Sequence, residues 1–459
     1  MGERTLAAAL GTWTAPEEVY ARGRALREVV DFDDHRAMSL APDRPSVLDF
    51  MHASNDGRLE DLIPLRVGRM LSSPFSFFRG SAGLMAGDLA AGVSTGLTAQ
   101  LCGDAHAANF GLYGTPDGQI VMDINDFDET LPGPWEWDLK RLVASLVLAG
   151  RTGGVSDKGC RDAVEDTVRA YRGAFRHLAE IPFLESWSAL ADESVLSRVK
   201  ADDLVDNFAK AAEKSRRNTS ARFAAKWTTR DGERSRFITN PPTLTDVTDE
   251  TQDAVIDALS SYVDTLRESR RSLIMRYGVS DVASRVVGTG SVGRRNYLIL
   301  LHGNGDEALV LQAKEAHTSA LAPFLDVPPA AHEGQRIVHG VRLVQVETDI
   351  LLGWTTIEGR HFIVRQFRNR KGEIDTTMLK RDDLDDYGRF AGVLLARAHT
   401  RSVDPRLLAG YFQGKDGEDL DEALTKYAFA YADQTEADHA ELVTLVKDGK
   451  LPALVEEDR

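Results

Sequence analysis

"CGDAHAANFGLYGTPDGQIVMDINDFDET", residues 102–130, gathers six Asp or Glu and two Asn around one short strand. Like charges held so close repel, so the stretch is either a solvated acidic loop that caps strands or a site built for a cation. Residues 118–125 read as a strand entered through the turn signal "GTPDG". Asp104 and Asn109 stand five residues apart in the loop before it. Phosphoryl transfer asks for this set of groups: one carboxylate to accept or orient the nucleophile's proton, and two oxygen donors to hold Mg2+ against phosphates. On that reading Asp104 is the catalytic carboxylate and Asn109 the first metal ligand. Alternation puts Ile120, Met122 and Ile124 on one face that continues to Asp126 and Asp128, with Asp123 on the other. Asp126, just past the strand end, is the favoured second ligand, with Asp123 and Asp128 as alternates.

A second motif, "VVGTGSVGRRNYLILL" at 286–301, follows far downstream. Gly288, Gly290 and Gly293, with Ser291 between them, form GxGxxG. A dinucleotide site needs that pattern between a strand and a helix, so that the helix N-terminus meets the pyrophosphate. Tyr297–Leu301 instead run straight into a Gly-Asn-Gly-Asp turn, which is a second strand, so the dinucleotide reading falls away. Two readings remain, an ordinary hairpin turn and a kinase-type glycine loop lying over ATP phosphates, with a Lys on the next strand reaching them. That strand, "ALVLQAKEA", carries Lys314, which shares a face with Val310 and Gln312. The nucleotide-binding set is therefore Gly288, Gly290, Ser291, Gly293 and Lys314. Glu333 is the candidate companion for Lys314 and Glu315 a weaker one.

The chain of 459 residues has a formal net charge of −16, which argues against a general nucleic-acid binder. Two cysteines in a chain of this length point to a reducing cytosol rather than a disulfide scaffold. No run approaches the ~20 apolar residues that span a bilayer, and the first residues make a poor signal peptide. The expected localisation is cytoplasmic, with no membrane partner. Helical patterns fill most of the chain to about 278, including "WDLKRLVASLVLAGR", where Asp138 suits the N-cap. A texture rich in β-branched and turn residues then gives four or five antiparallel strands, with a helix at about 330–340. Helices return after 375, first in "DDYGRFAGVLLARAHTRS". The expected fold class is α+β with two lobes: a helical lobe with the catalytic loop and metal-binding strand over 1–280, a β-rich nucleotide-binding lobe over 281–370, and helices returning to the helical lobe over 371–459.

"GDAHAANF…MDINDFDE…WEWDLKRL" resembles kinase-like phosphotransferases of the aminoglycoside and choline kinase type. The interval from Asp126 to Asp138 is similar to theirs, which supports Asp126. "FAGVLLARAHTRS" resembles the helix that in those enzymes runs directly into the catalytic loop, so the resemblance implies a circularly permuted order. Nearly the whole chain resembles the bacterial domain of unknown function 2252, through "PFSFFRG", "CGDAHAANFG", "INDFDE", "GPWEWDLKRL", "VVGTGSVGRRNY", "LQAKEA", "EGQRIVHGVRLVQ" and "LARAHTRS". Cys102 replaces the usual His before Gly-Asp, and no Arg precedes Asp104, so control by activation-loop phosphorylation is not expected. The implied activity is an ATP- and Mg-dependent phosphotransferase acting on a hydroxyl. The rivals are a nucleotide-binding pseudokinase or regulatory protein, an AMP transferase on the same fold, and an acid-cluster hydrolase that needs no Lys314. Arg79 in "FFRG" either reaches an anionic group or faces solvent, and the same choice holds for Arg294 and Arg295. His106 steers the acceptor or is a packed histidine. An acidic enzyme suits a cationic acceptor.

Overall fold

Short polar stops and capped starts define the first helices. The computed structural model describes residues 13–188, 204–231, 234–286, 290–414 and 417–455. Val47–Asn55 (α1) starts where the Ser46 hydroxyl accepts the Asp49 N–H, and Pro74–Arg79 (α3) where the Ser73 hydroxyl accepts the Ser76 N–H; Ile63–Leu71 (α2) lies between them. A hairpin follows, Phe110–Gly114 (β1) against Ile120–Ile124 (β2), with Phe110 opposite Ile124. Next come the long helices Trp135–Thr152 (α4) and Asp157–Glu180 (α5). Asp138 is not the N-cap of α4. The helix begins three residues earlier, at Trp135, and Asp138 lies in its first turn.

Val205–Arg216 (α6) and Ser220–Trp227 (α7) lead into a six-stranded sheet. Its strands are Leu244–Asp246 (β3), then, after the helix Asp249–Thr265 (α8), Gly278–Arg285 (β4), Asn296–His302 (β5) and Ala308–Glu315 (β6), and beyond Glu333–Val344 (α9), Gly353–Ile357 (β7) and Arg360–Gln366 (β8). The order is β7-β8-β6-β5-β4-β3, antiparallel throughout. Period-two alternation separates its faces. Leu309, Leu311 and Ala313 pack with Ile299, Phe362 and Val364 against Tyr262 and Val255 of α8. Val310, Leu298 and Leu300 face the other way, onto Phe223 and Ala224 of α7. The β-rich part therefore recruits α7, β3 and α8, and begins well before the change of texture at 281, because both sheet faces are apolar and each needs a cover.

Gly372–Glu373 (β9) adds a third strand beside β1, and Arg381–His399 (α10) and Gly417–Lys447 (α11) close the helical part. Leu394, Phe390 and Tyr387 of α10 join Tyr171 and Phe175 of α5, Trp135 of α4 and Tyr427 and Tyr431 of α11 in one large core. The chain passes between the two parts twice, near 216–220 and near 367–371. At that waist Ser220 Oγ donates to the Phe367 carbonyl at 2.5 Å, Asn218 Nδ2 to that of Lys371 at 2.5 Å, and the Arg370 N–H to that of Asn218 at 2.9 Å. Among the described residues no helix is long and apolar enough to cross a membrane.

Candidate functional site

The loop 102–109 is held from beneath. Asp138 accepts the N–H groups of Cys102 and Gly103 at 2.8 and 3.0 Å, and its other neighbour is His399 Nε2 at 3.4 Å, whose Nδ1 in turn meets the Tyr171 hydroxyl at 2.7 Å. Gly103 has φ +84°, and a Cβ there would lie 2.3 Å from the Glu129 carbonyl oxygen, so the position needs glycine on both counts. The Tyr387 hydroxyl donates to the Ala107 carbonyl at 2.6 Å, and Ser145 Oγ accepts the Ala107 N–H at 2.8 Å. These anchors come from α4, α5 and α10, so the helical core fixes where Asp104 sits.

Asp104 receives Arg141 Nε at 2.5 Å, with His106 Nε2 at 3.7 Å from its other oxygen. Burial pushes the Asp104 carboxyl up to about 6, against the pull of Arg141. His106 is 3 % exposed, and burial, with Arg79 and Arg141 beside it, keeps the ring neutral. Asn109 donates Nδ2 to the Asp104 carbonyl at 2.6 Å, which leaves its Oδ1 as the available ligand atom, and its own carbonyl accepts the Asn125 N–H at 2.8 Å. That bond ties the loop to the acidic turn next to Asp126.

Lys314, on β6, reaches this turn. Its Nζ lies 2.5 Å from Asp128 and 3.7 Å from Asp126. Withdrawal from water acts to raise Asp126, but Lys314, Arg365 and Lys371 hold it down to about 2. Desolvation and the Asp126 charge push Asp128 up, and the two carboxylates keep the Lys314 ammonium protonated despite its burial. Burial with Arg365 alongside pushes Lys371 down to about 7.

Neither expected glutamate partners Lys314. Glu315 is its strand neighbour and so points to the opposite face, where it accepts the Arg295 N–H at 2.9 Å and pairs with Arg295 and Arg360. Glu333 opens α9 and pairs with Arg336, three residues on, at 2.6 Å. Arg336 also donates to the carbonyls of Asp128, Thr130 and His317, which pins the acidic turn to the end of β6.

Asp104, Asn109, Asp126, Gly290 and Ser291 line one cavity of about 340 Å³. Gly293, at φ +84°, is buried and does not line the cavity; its carbonyl accepts the Leu59 N–H at 2.8 Å. Gly288 lies outside the described residues. Asp123 is buried against Arg397 of α10 and sits on the far side of its strand from the cavity. Arg79 and Arg294 line the cavity as well. The sequence reading missed Arg141, Arg336, Arg365 and Lys371, and it missed Arg58 and Arg66, which also border the cavity.

The oxygen donors fit a magnesium ion in kind. One ionised carboxylate, Asp126, and one amide oxygen, Asn109, open into a shared cavity, and Mg2+ takes one or two carboxylates with phosphate and water completing the shell. Among the described residues no group of three or more His, Cys, Asp or Glu forms an all-protein cage.

A family described as an uncharacterized protein conserved in bacteria, DUF2252, matches residues 58–445. The chain belongs to that family. The match covers the loop 102–109, the acidic turn, the glycine loop and Lys314. No curated protein and no solved structure matches the chain.

Proposed function

We propose that the protein is an ATP- and Mg-dependent phosphotransferase acting on a hydroxyl group, on a kinase-like fold whose segments are circularly permuted. One observation carries this reading: Lys314 lies 2.5 Å from Asp128 and 3.7 Å from Asp126, and both carboxylates line the cavity that Asp104 and the glycine loop share, although Lys314 itself does not. Nearly two hundred residues separate these segments, and a solvated acidic turn gives no reason for them to meet. A glycine-bearing hairpin followed by a strand with Lys is the phosphate-holding half of such a site, and a loop carboxylate with two oxygen donors is the other. In the chain the loop 102–109 precedes the hairpin, and "LARAHTRS" ends α10, whose Tyr387 and His399 buttress that loop from the opposite end of the sequence.

In this mechanism Lys314 and the backbone at Gly290 and Ser291 hold the triphosphate. Asn109 and Asp126 would hold Mg2+, which neutralises charge on the phosphate oxygens. Asp104, held by Arg141, takes the proton of the acceptor hydroxyl as its oxygen bonds the terminal phosphorus and the bond to ADP breaks. The test is titration of Mg-ATP into the full chain, with mass spectrometry of the nucleotide product. Lys314→Ala should weaken nucleotide binding at least about tenfold, the worth of one charge-assisted contact, and Asp126→Ala should abolish Mg-dependent turnover. Equal binding by Lys314→Ala would overturn the reading, and release of AMP instead of ADP would replace it with nucleotidyl transfer.

One observation bears on where the base would bind. The sheet face around Val310, Leu298 and Leu300 is covered by Phe223 of α7, which packs edge-on to Phe367 with centroids 4.8 Å apart. A base bound against that face would have to displace α7.

A further inference from the structure

Four arginines border the cavity that holds Asp104: Arg58, Arg66, Arg79 and Arg294. Of the five carboxylates that border it, Glu129 accepts the Ala320 N–H and pairs with no cation among the described residues, and the other four face cations. Asp104 pairs with Arg141, Asp126 and Asp128 with Lys314, and Glu315 with Arg295 and Arg360. None of the four arginines forms an ion pair with a carboxylate among the described residues. Arg66 is 1 % exposed and is positioned by neutral acceptors, Asn55 Oδ1 at 2.7 Å and the Gly80 carbonyl at 3.2 Å. Arg58 donates to the carbonyls of Ser54 and Val292, at 2.9 and 2.5 Å. Arg79 donates no hydrogen bond to any described residue, and its Nε is buried.

Guanidinium groups stay charged, and gathering several of them out of water without a counter-charge is unfavourable. Neutral oxygens fix where Arg58 and Arg66 point, and Glu129 and Asp128 act on Arg58 from a distance but form no ion pair with it. A planar fork of donors suits a phosphate or a carboxylate. Arg79 is the member closest in effect to the reacting group, since its charge acts on both Asp104 and His106. Phe50, Ala53, Ala82 and Gly83 give part of the wall a small, apolar character, and Ser54, His317 and Thr318 add polar atoms. At about 340 Å³ the space is at the low end for a small-molecule pocket.

We propose that the acceptor is a small hydroxylated molecule bearing a phosphate or carboxylate group, and that Arg79, with Arg58 and Arg66, holds that group while Asp104 faces the hydroxyl. This rests on the phosphotransferase reading for the role of Asp104, but the anion site itself does not. It reverses the cationic acceptor that net charge suggests, because the four arginines of the lining and the four cations paired with its carboxylates outnumber the five carboxylates there.

The probe is glycerol 3-phosphate, titrated calorimetrically into the full chain already saturated with Mg2+ and the β,γ-imido analogue of ATP, with glycerol and ethanolamine as uncharged and cationic controls. Glycerol 3-phosphate should bind and the two controls should not. Arg79→Gln should weaken binding about tenfold or more, and Arg79→Lys should recover part of it. Both variants should keep the wild-type melting transition and bind the nucleotide analogue within about twofold of wild type. Unchanged affinity in Arg79→Gln would overturn the proposal, as would binding of ethanolamine in preference. So would finding that glycerol 3-phosphate binds only when the nucleotide analogue is left out, since the arginines would then serve the nucleotide's own phosphates. Failure of the analogue to bind at all would instead remove the phosphotransferase reading, and loss of glycerol 3-phosphate binding in Arg79→Gln would still identify the anion site.

Discussion

Single buried groups in this protein are held in charge states that folding imposes. His35 is fully buried, its Nε2 sits 2.7 Å from the Tyr411 hydroxyl, and its ring lies 6.0 Å from that of Trp135. Burial, helped by Lys140, pushes its pKa from 6.5 down to about 3. Between those values the unfolded chain binds the proton and the folded chain does not. Stability from neutral His35 is therefore complete above pH 6.5 and is lost as pH falls toward 3. The wild type should lose roughly 2–3 kcal/mol through this residue between pH 7 and about pH 4.5. Urea midpoints at the two pH values should show that loss shrinking in His35→Gln; an identical slope in the variant would assign the acid sensitivity elsewhere. Legibility at this scale follows sequence distance. That Asp104, Asn109 and Asp126 share one cavity is readable because their spacing is local. Arg58 and Arg66 are not, because what fixes them (Val292 and Gly80) becomes a neighbour only on folding. Asp138 was readable as a helix-start residue, yet the donors it satisfies are those of Cys102 and Gly103, three dozen residues upstream.

Whole elements were legible where periodicity was strong. α10 shows its Tyr387, Phe390, Leu394 and Ala398 face in the sequence, and those residues are buried. The glycines on that helix were not, since nothing local distinguishes a tolerated glycine from a required one. Gly388 and Gly392 let α10 approach α5 closely. A Cβ at Gly388 would fall 2.2 Å from Thr167 Oγ1, and one at Gly392 would fall 2.5 Å from the Thr167 carbonyl oxygen. Alanine is the better helix former by about 1 kcal/mol, but overpacking of this kind costs about 1–3 kcal/mol. Gly388→Ala should therefore lower the unfolding free energy in urea, and a stabilised variant would mean that the helices separate at no cost. The same reasoning explains why α7 and α8 were not recognised as part of the sheet-bearing half. Their apolar stripes are ordinary, and only the two apolar faces of the sheet decide where they go.

Across the whole molecule, the mixture of helices with antiparallel sheet was predictable, and which helices cover the sheet was not. Strand texture marks where the sheet begins but gives no sign of the helices that cover it. The cover has a measurable consequence for the nucleotide. If the base takes the face now occupied by Phe223, adding Mg-ATP should speed amide hydrogen exchange across Ser220–Trp227 while leaving α4 and α5 unchanged. Retained protection with ATP bound would place the base away from that face.

The paired passages at the waist shape how the halves can move. Residues 215–220 and 367–371 run side by side and are bonded to each other, so the joint has the width of a strap and not of a thread. A strap folds readily about its long edge and resists twisting. Any closure of the cavity would also have to break the bonds by which Arg58 and Leu59 hold the Val292 and Gly293 carbonyls.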